Sequence, residues 1–322
     1  MVDVSVVIPI YNHEKFLKKA IDSVLMQKIN FNLEVIIAED YSTDGSRAIL
    51  KEMEKKLPDN YTILYREHNF GIEKNFDDLY ARMQGRYYIV LEADDYWLSE
   101  DKLQKQYDFL ENNPDYLAVA HNSIVVDEND EKIPYDYPEC KKEEYRMKDF
   151  QNEILPGQTT TIMRRNYMKY KLFDYDLEKV NFPGDQIKAF LTIANGKVHC
   201  IQEQLSAYRL IIKKGSSFSA QYSYNPDNEM AYRKLLYGYV KRHPELTEAY
   251  KCAEKLYVWF LFKCVIKKHC GISFWNFIKA LKDARYSFSS FLFVFRKIIM
   301  LPVTTIQHKI RDKKYAKATG ML

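Results

Sequence analysis

Residues 4–10 read Val-Ser-Val-Val-Ile-Pro-Ile, a nearly unbroken run of β-branched residues interrupted only by Ser5 and Pro9. Such a run has no polar alternation and therefore no solvated face, so it predicts a strand buried on both sides, as in a parallel sheet covered by helices. Asn12 is placed to cap the next helix, where Phe16, Leu17, Ala20, Ile21, Val24 and Leu25 recur at helical spacing and leave Lys18, Lys19 and Asp22 outward. The unit then repeats. Residues 33–38 are an apolar strand, Ser42 or Thr43 can cap a helix through Leu57, and residues 61–65 are a third strand. Phe76, Leu79, Tyr80 and Met83 line another helix, closed by Gly85, before a fourth strand over 87–91. Strands alternating with helices of this length predict an α/β, Rossmann-like, mostly parallel sheet with right-handed crossovers.

Farther on, a helix carrying Leu103, Tyr107 and Leu110 ends before Pro114, and residues 117–126 read as a strand. The charged stretch 127–150 reads as a surface excursion, and regular structure resumes over 158–163, 189–194 and 197–209. From about Asn225 the chain turns helical and basic, which divides it into a catalytic-type domain over 1–220 and a C-terminal region over 221–322. The whole chain is only +4, too little for a nucleic-acid binder. Its distribution is uneven: residues 245–322 hold fifteen Lys and Arg against five Asp and Glu, a net of +10, so residues 1–244 carry −6. The five cysteines form no C-x-x-C pair, which argues for reduced thiols in a cytoplasmic compartment and against thiolate metal binding. The N-terminus reads as a strand rather than a secretory signal. The uncharged runs 286–295 and 298–308 fall well short of the roughly 20 apolar residues of a spanning helix.

In a parallel sheet, ligands bind beyond the carboxyl ends of the strands. Those ends are acidic here: Glu39 and Asp40 follow strand two, and Glu92, Asp94 and Asp95 follow strand four. An Asp in a turn is often a local hydrogen-bond acceptor. Two acidic clusters on one sheet edge repel each other unless a cation or donor-rich ligand compensates them, which predicts a divalent metal. No G-x-G-x-x-G follows strand one and no G-x-x-x-x-G-K-[ST] occurs, so dinucleotide and P-loop chemistry are excluded.

Four fragments in order, VSVVIPIYNHEKFLKKAIDSVLMQ, IIAEDYSTDGS, GRYYIVLEADDYW and GDQ…YR, resemble the inverting family-2 glycosyltransferases of the GT-A fold, particularly bacterial surface-polysaccharide members. The resemblance covers about residues 3 to 215. It implies a sugar donor activated as a nucleotide diphosphate, most simply a UDP-sugar, held by Pro9, Tyr11, Asn12, Glu39 and Asp40. A carboxylate at Asp40 suits the imide N–H of uracil and a ring at Tyr11 suits stacking, although Tyr11 at a helix entry also suits packing. Asp44 and Ser46 suit helix capping. The segment Glu92-Ala93-Asp94-Asp95 resembles the family's metal motif, usually written with Asp first. Asp94 is then the ligand of Mn²⁺ or Mg²⁺, Glu92 and Asp95 face donor sugar or diphosphate, and Asp95 alternatively caps the next segment. Asp185 matches the family's base position, with helix capping as its other reading and Glu203 as a second candidate base. Arg209 and Lys213 resemble a segment that closes over the diphosphate, and Gln158, Thr159 and His121 stand where relatives line the sugar and acceptor pockets.

The implied activity is transfer of a hexosyl or N-acetylhexosaminyl group to a glycan or lipid-linked saccharide. The rival readings are an inactive scaffold of glycan assembly and a nucleotidyltransferase on a related fold. Clusters such as LYVWFLF, FWNFI and SFLFVF, interrupted by cations, suit either in-plane adsorption to the inner face of the cell membrane or packing, against the catalytic domain or in a homo-oligomer.

Overall fold

Strand β1 (Val4–Ile10) lies between β2 (Leu33–Glu39) and β4 (Tyr87–Val90), parallel to both. Its even residues, Val4, Val6, Ile8 and Ile10, pack with Leu17, Ala20, Ile21 and Val24 of α1 (Leu17–Leu25) and with Leu103 and Leu110 of α4 (Lys102–Asn112). On the other face Val7 meets Leu79 of α3 (Ile72–Arg82) and Met83. Helices therefore cover both faces, which is why the strand carries no polar alternation.

The computed structural model describes residues 1–135, 137, 139–174, 180–211, 223–300 and 313. Among them the sheet has nine strands. The path runs β3 (Tyr61–Tyr65), β2, β1, β4, β8 (Met163–Arg165), β6 (Tyr116–Val126), β9 (Lys197–Arg209) and β5 (Tyr96–Trp97), with β7 (Glu144–Tyr145) also on β9. The first four of these are parallel neighbours, as expected, and β8 joins them antiparallel to both β4 and β6. A 3-10 turn (Thr159–Thr161) precedes β8, within the stretch 158–163 where regular structure is expected to resume. Helix α2 (Ser46–Glu54) is shorter than expected at both ends. Asp44, rather than Ser42 or Thr43, accepts from the Ser46 N–H at 2.9 Å, leaving residues 42–45 as a loop.

Two compact units make up the chain. The first holds Met1–Tyr145, Ile154–Tyr175 and Gly196–Tyr222; the second holds Arg146–Glu153, Asp176–Asn195 and Ser223–Leu322. A single cut near residue 220 thus misses two segments that join the C-terminal helices, α5 (Met147–Gln151) and α7 (Gly184–Asn195). A linear reading cannot see this, because Phe150 meets Phe190 at 5.3 Å between ring centroids only after folding. The first unit also holds α6 (Tyr167–Tyr170). The second continues with α8 (Pro226–Arg242), α9 (Thr247–Lys267), α10 (Phe274–Lys282) and a helical stretch over 287–300. Met230, Val258, Phe260, Leu261, Phe277 and Val294 form its core. Among the described residues, no helix is long and apolar enough to cross a membrane.

Candidate functional site

Pro9 shapes the site through what it lacks. The Val7 carbonyl accepts the Leu91 N–H at 2.9 Å, so Val7, and Pro9 two residues on, face β4. Proline has no N–H to continue that ladder. Pairing of β1 with β4 stops at Val7–Val90, whereas pairing with β2 runs on to Ile10–Glu39. The chain after β4 leaves the ladder in the turn 92–95, at the carboxyl ends of the strands, where sheets of this kind carry their ligand crevice.

The loops that rim this crevice are tied together. Asn12 and Tyr41 follow the ends of β1 and β2, and both take left-handed backbone, φ 58° and 59°. Neither is glycine, so each stores strain of order 1–2 kcal/mol that surrounding bonds must hold. The Asn12 N–H donates to Ser42 Oγ (3.0 Å), its Oδ1 accepts from the Thr43 N–H (2.8 Å), and the His13 N–H donates to Ser46 Oγ (2.8 Å). Burial alone would raise the Asp44 carboxyl, but bonds from Ser46 and the Glu14 N–H hold it below its usual value. Tyr11 stands at the rim with 37% of its surface exposed, open for a stacked base.

The two acids after β2 have different work. Glu39 is fully buried and is held by Arg47 and by the Ser42 N–H (2.6 Å), so it braces the loop and is closed to a nucleotide. Asp40 accepts from Phe70 N–H at 2.7 Å on one oxygen and Gly71 N–H at 3.0 Å on the other. A carboxylate has about four lone-pair sites, so Asp40, though only 3% exposed, has lone pairs left over after fixing the Phe70–Gly71 turn. Gly71 has φ 76°, ψ 161°, a conformation that glycine alone takes freely.

The turn after β4 also separates its acids. Asp95 is buried, accepting from Thr160 Oγ1 (3.0 Å) and from the Arg209 N–H (2.8 Å). Burial first, then the neighbouring Asp94 and Glu92, push its carboxyl well above the usual range. Asp95 is a brace between the turn, the 3-10 segment and β9, turned away from any donor sugar. Arg209 likewise departs from the expected diphosphate contact. Its guanidinium is 1% exposed and donates to the Asp94 and Asp127 carbonyls, both at 2.8 Å, and to Asp130. It also lies 4.4 Å from the centroid of Phe16. Asp94 differs: it is half-buried, and among the described residues no side chain or backbone N–H donates to its carboxylate. His13 stands near it; burial lowers the imidazole, and Asp94 and Asp44 pull it back up. Tyr208 borders all three acids, its phenol raised first by burial and then by Asp95, Glu92 and Asp94.

Of the remaining expectations, His121 and Gln158 are buried and closed to an acceptor. Gln158 caps the 3-10 segment through the Thr160 N–H, and His121 approaches the Asn122 carbonyl at 2.9 Å; burial and Lys102 push its imidazole well down. Thr159, half-buried, keeps partial access. Glu203 pairs with Lys105 at 2.7 Å on the surface. Asp185 opens α7 in the second unit and accepts its neighbour's N–H at 2.7 Å. Lys213 lies outside the described residues.

The model of the Glycosyl transferase family 2 family matches residues 5–170, just over half of the chain, which include Tyr11, Asn12, Asp40 and Asp94. The chain belongs to glycosyl transferase family 2. TuaG of Bacillus subtilis, described as a putative teichuronic acid biosynthesis glycosyltransferase, is 25% identical over 281 residues, 87% of this chain and 95% of that protein. The uncharacterized protein Mb1547 of Mycobacterium bovis is 34% identical over 122 residues, and the match spans 38% of this chain and about a third (35%) of that relative's length. TarS of S. aureus, solved with UDP-GlcNAc, superposes with a TM-score of 0.62 at 16% identity over 88% of this chain and 80% of that one, which shows the shared GT-A-type fold.

The family-2 site fits a hard divalent cation held by few protein oxygens. Among the described residues no three His, Cys, Asp or Glu gather into a metal cage. A half-buried carboxylate in the turn after β4, with no protein donor among the described residues, suits the mode in which Mg²⁺ or Mn²⁺ is shared between one carboxylate and substrate phosphates. His13 and Tyr41 escaped the sequence reading as members of the site, whereas Tyr208 was part of the fragment GDQ…YR. His13 directly follows the Tyr11-Asn12 turn, a signal that could have found it; the strained backbone of Tyr41 has no one-dimensional trace.

Proposed function

We propose that this family-2 member is an inverting, metal-assisted glycosyltransferase. It takes a sugar from a nucleotide-diphosphate donor, a UDP-sugar first among them, and moves it to a hydroxyl of a glycan or lipid-linked saccharide in surface-polysaccharide assembly. One observation carries the reading. Asp40 and Asp94 follow the two strands that flank β1; the buried Asp40 fixes residues 70–71, and the half-buried Asp94 takes no protein donor on its carboxylate among the described residues. The names of TuaG and TarS support the substrate class.

In this mechanism Tyr11 stacks on the base and Asp40 accepts its imide N–H, which orients the donor. The cation on Asp94 would neutralise charge on the departing diphosphate. A carboxylate base, the role that the family resemblance gives to Asp185, takes the acceptor hydroxyl's proton while that oxygen bonds to the anomeric carbon. The bond to the diphosphate oxygen breaks on the opposite face, which inverts the centre. General-base assistance of this kind contributes on the order of 10²- to 10⁴-fold.

A thermal-shift screen of nucleotide sugars with and without Mn²⁺ tests the reading. The expected result is a donor that raises Tm, and more so with metal. No shift with any nucleotide would overturn it, and binding without turnover would favour the scaffold reading.

A further inference from the structure

Residues 287–300 are helical, and their buried side is small: Ser290 is fully buried and Val294 is 4% exposed, packed into the core with Phe260 and Phe277. The opposite side is a continuous apolar stripe. Phe288, Phe291, Leu292, Phe295 and Ile299 recur at i, i+3, i+4, i+7 and i+11, and they are 74%, 50%, 47%, 53% and 59% exposed. This orientation is pinned from inside. The buried Glu254 carboxylate accepts from the Arg285 N–H (2.7 Å), the Tyr286 N–H (3.0 Å) and Ser290 Oγ (2.9 Å), so an acid sits at the start of the helix, where its free N–H groups point. Rotating the stripe inward would strip that buried acid of its donors.

A stripe of this kind marks an interaction surface. Its charge identifies the partner. No Asp or Glu occurs from Ala284 to Met300, and exposed Arg285 and Arg296 accompany the stripe. α10 of the same unit adds exposed Lys279, Lys282 and Trp275. A second copy would bring these four cations against themselves with only the exposed Asp283 beside them to answer, whereas an anionic lipid surface answers both the charge and the apolar face. We propose that the face formed by residues 286–300 lies in the interface of an anionic bilayer, its aromatic stripe among the acyl chains and its cations at the headgroups. The proposal does not depend on the catalytic reading.

Co-sedimentation of the full chain with vesicles tests it, using phosphatidylcholine alone and phosphatidylcholine mixed with phosphatidylglycerol. Partitioning should be at least about tenfold stronger with phosphatidylglycerol and should weaken in 0.5 M NaCl, as electrostatically assisted adsorption requires. The triple variant Phe288→Ser, Phe291→Ser, Phe295→Ser should lose about tenfold or more of that partitioning at unchanged Tm, because these rings are already solvated. The charge reversal Arg296→Glu is a second variant that leaves the stripe intact and should also weaken binding. Equal binding to both vesicle types overturns the proposal, as does a triple variant that binds like the parent. A concentration-dependent dimer that the triple variant converts to monomer also overturns it, by naming a second copy as the occupant.

Discussion

Arg209 separates two accounts of the same residue. As a diphosphate clamp it would act on donor affinity; as a buried bracket it acts on stability. The structure supports the bracket: the guanidinium, 1% exposed, holds the Asp94 and Asp127 carbonyls and Asp130. Arg209→Met keeps much of the stem but leaves two carbonyls without their donor. Asp130 retains Lys19 at 2.8 Å, so the acid does not become isolated. Removing one partner of a buried, charge-assisted network costs about 3–5 kcal/mol. A folding unit of ~150–250 residues loses about 2–4 °C per kcal/mol, so Tm should fall by about 6–20 °C. Arg209→Lys keeps the charge but cannot reach three acceptors at once, and its loss should be smaller and in the same direction. Differential scanning fluorimetry measures the shift, and calorimetric titration of UDP on the folded variant measures affinity. A Tm within about 2 °C of the parent together with a tenfold weaker nucleotide would refute the bracket and restore the clamp.

Asp94→Asn should reduce Mn²⁺-dependent turnover by about 100-fold or more while Tm stays within about 2 °C, because no protein donor among the described residues is lost; a metal titration of initial rates reads it. Asp40→Asn should weaken UDP binding by about tenfold or more in calorimetry, since an amide offers one acceptor oxygen where two backbone N–H groups and a base converge. Gly71→Ala meets no neighbouring atom yet forces a side chain into φ 76°, so denaturant unfolding should show a loss of about 1–2 kcal/mol. Lys102 is fully buried over the Trp97 ring at 3.9 Å, and burial pushes its ammonium well below its usual value. The unfolded chain therefore binds the proton that the native one resists, and native stability falls as pH drops below about 10.5 toward the lowered folded value. Lys102→Met removes that penalty, so its Tm should exceed the parent's at pH 7 and the gap should close above pH ~10.5; an equal gap at both pH values would contradict this.

The alternation of helices and strands over the first ninety residues was legible because it rests on local periodicity, and β1, α1, β2, β3 and β4 stand where that pattern sets them. The carboxyl-end acids were legible for the same reason. Which of them face a ligand was not, because Glu39, Asp40, Asp94 and Asp95 are the same chemistry at nearly the same position. Their difference comes from the partners each one meets: the nearby Arg47 and Ser42 for Glu39, and partners distant in the chain for the others, Phe70 and Gly71 for Asp40, Thr160 and Arg209 for Asp95. The two-residue strand β5 left no periodic signal, and it forms through pairing with β9 more than a hundred residues later.

By itself the sequence determined a buried parallel strand, the helices that cover it, an acidic sheet edge and a basic aromatic tail, since hydrophobic period and charge are properties of neighbours along the chain. Only the tertiary structure decided that Asp95 is buried and bonded while Asp94, among the described residues, takes no protein donor on its carboxylate, that Arg209 is locked inside, and that Glu254 turns an aromatic stripe outward. Those outcomes depend on whether a charged group meets a partner across the fold, and burial makes that meeting decisive by removing water as the alternative.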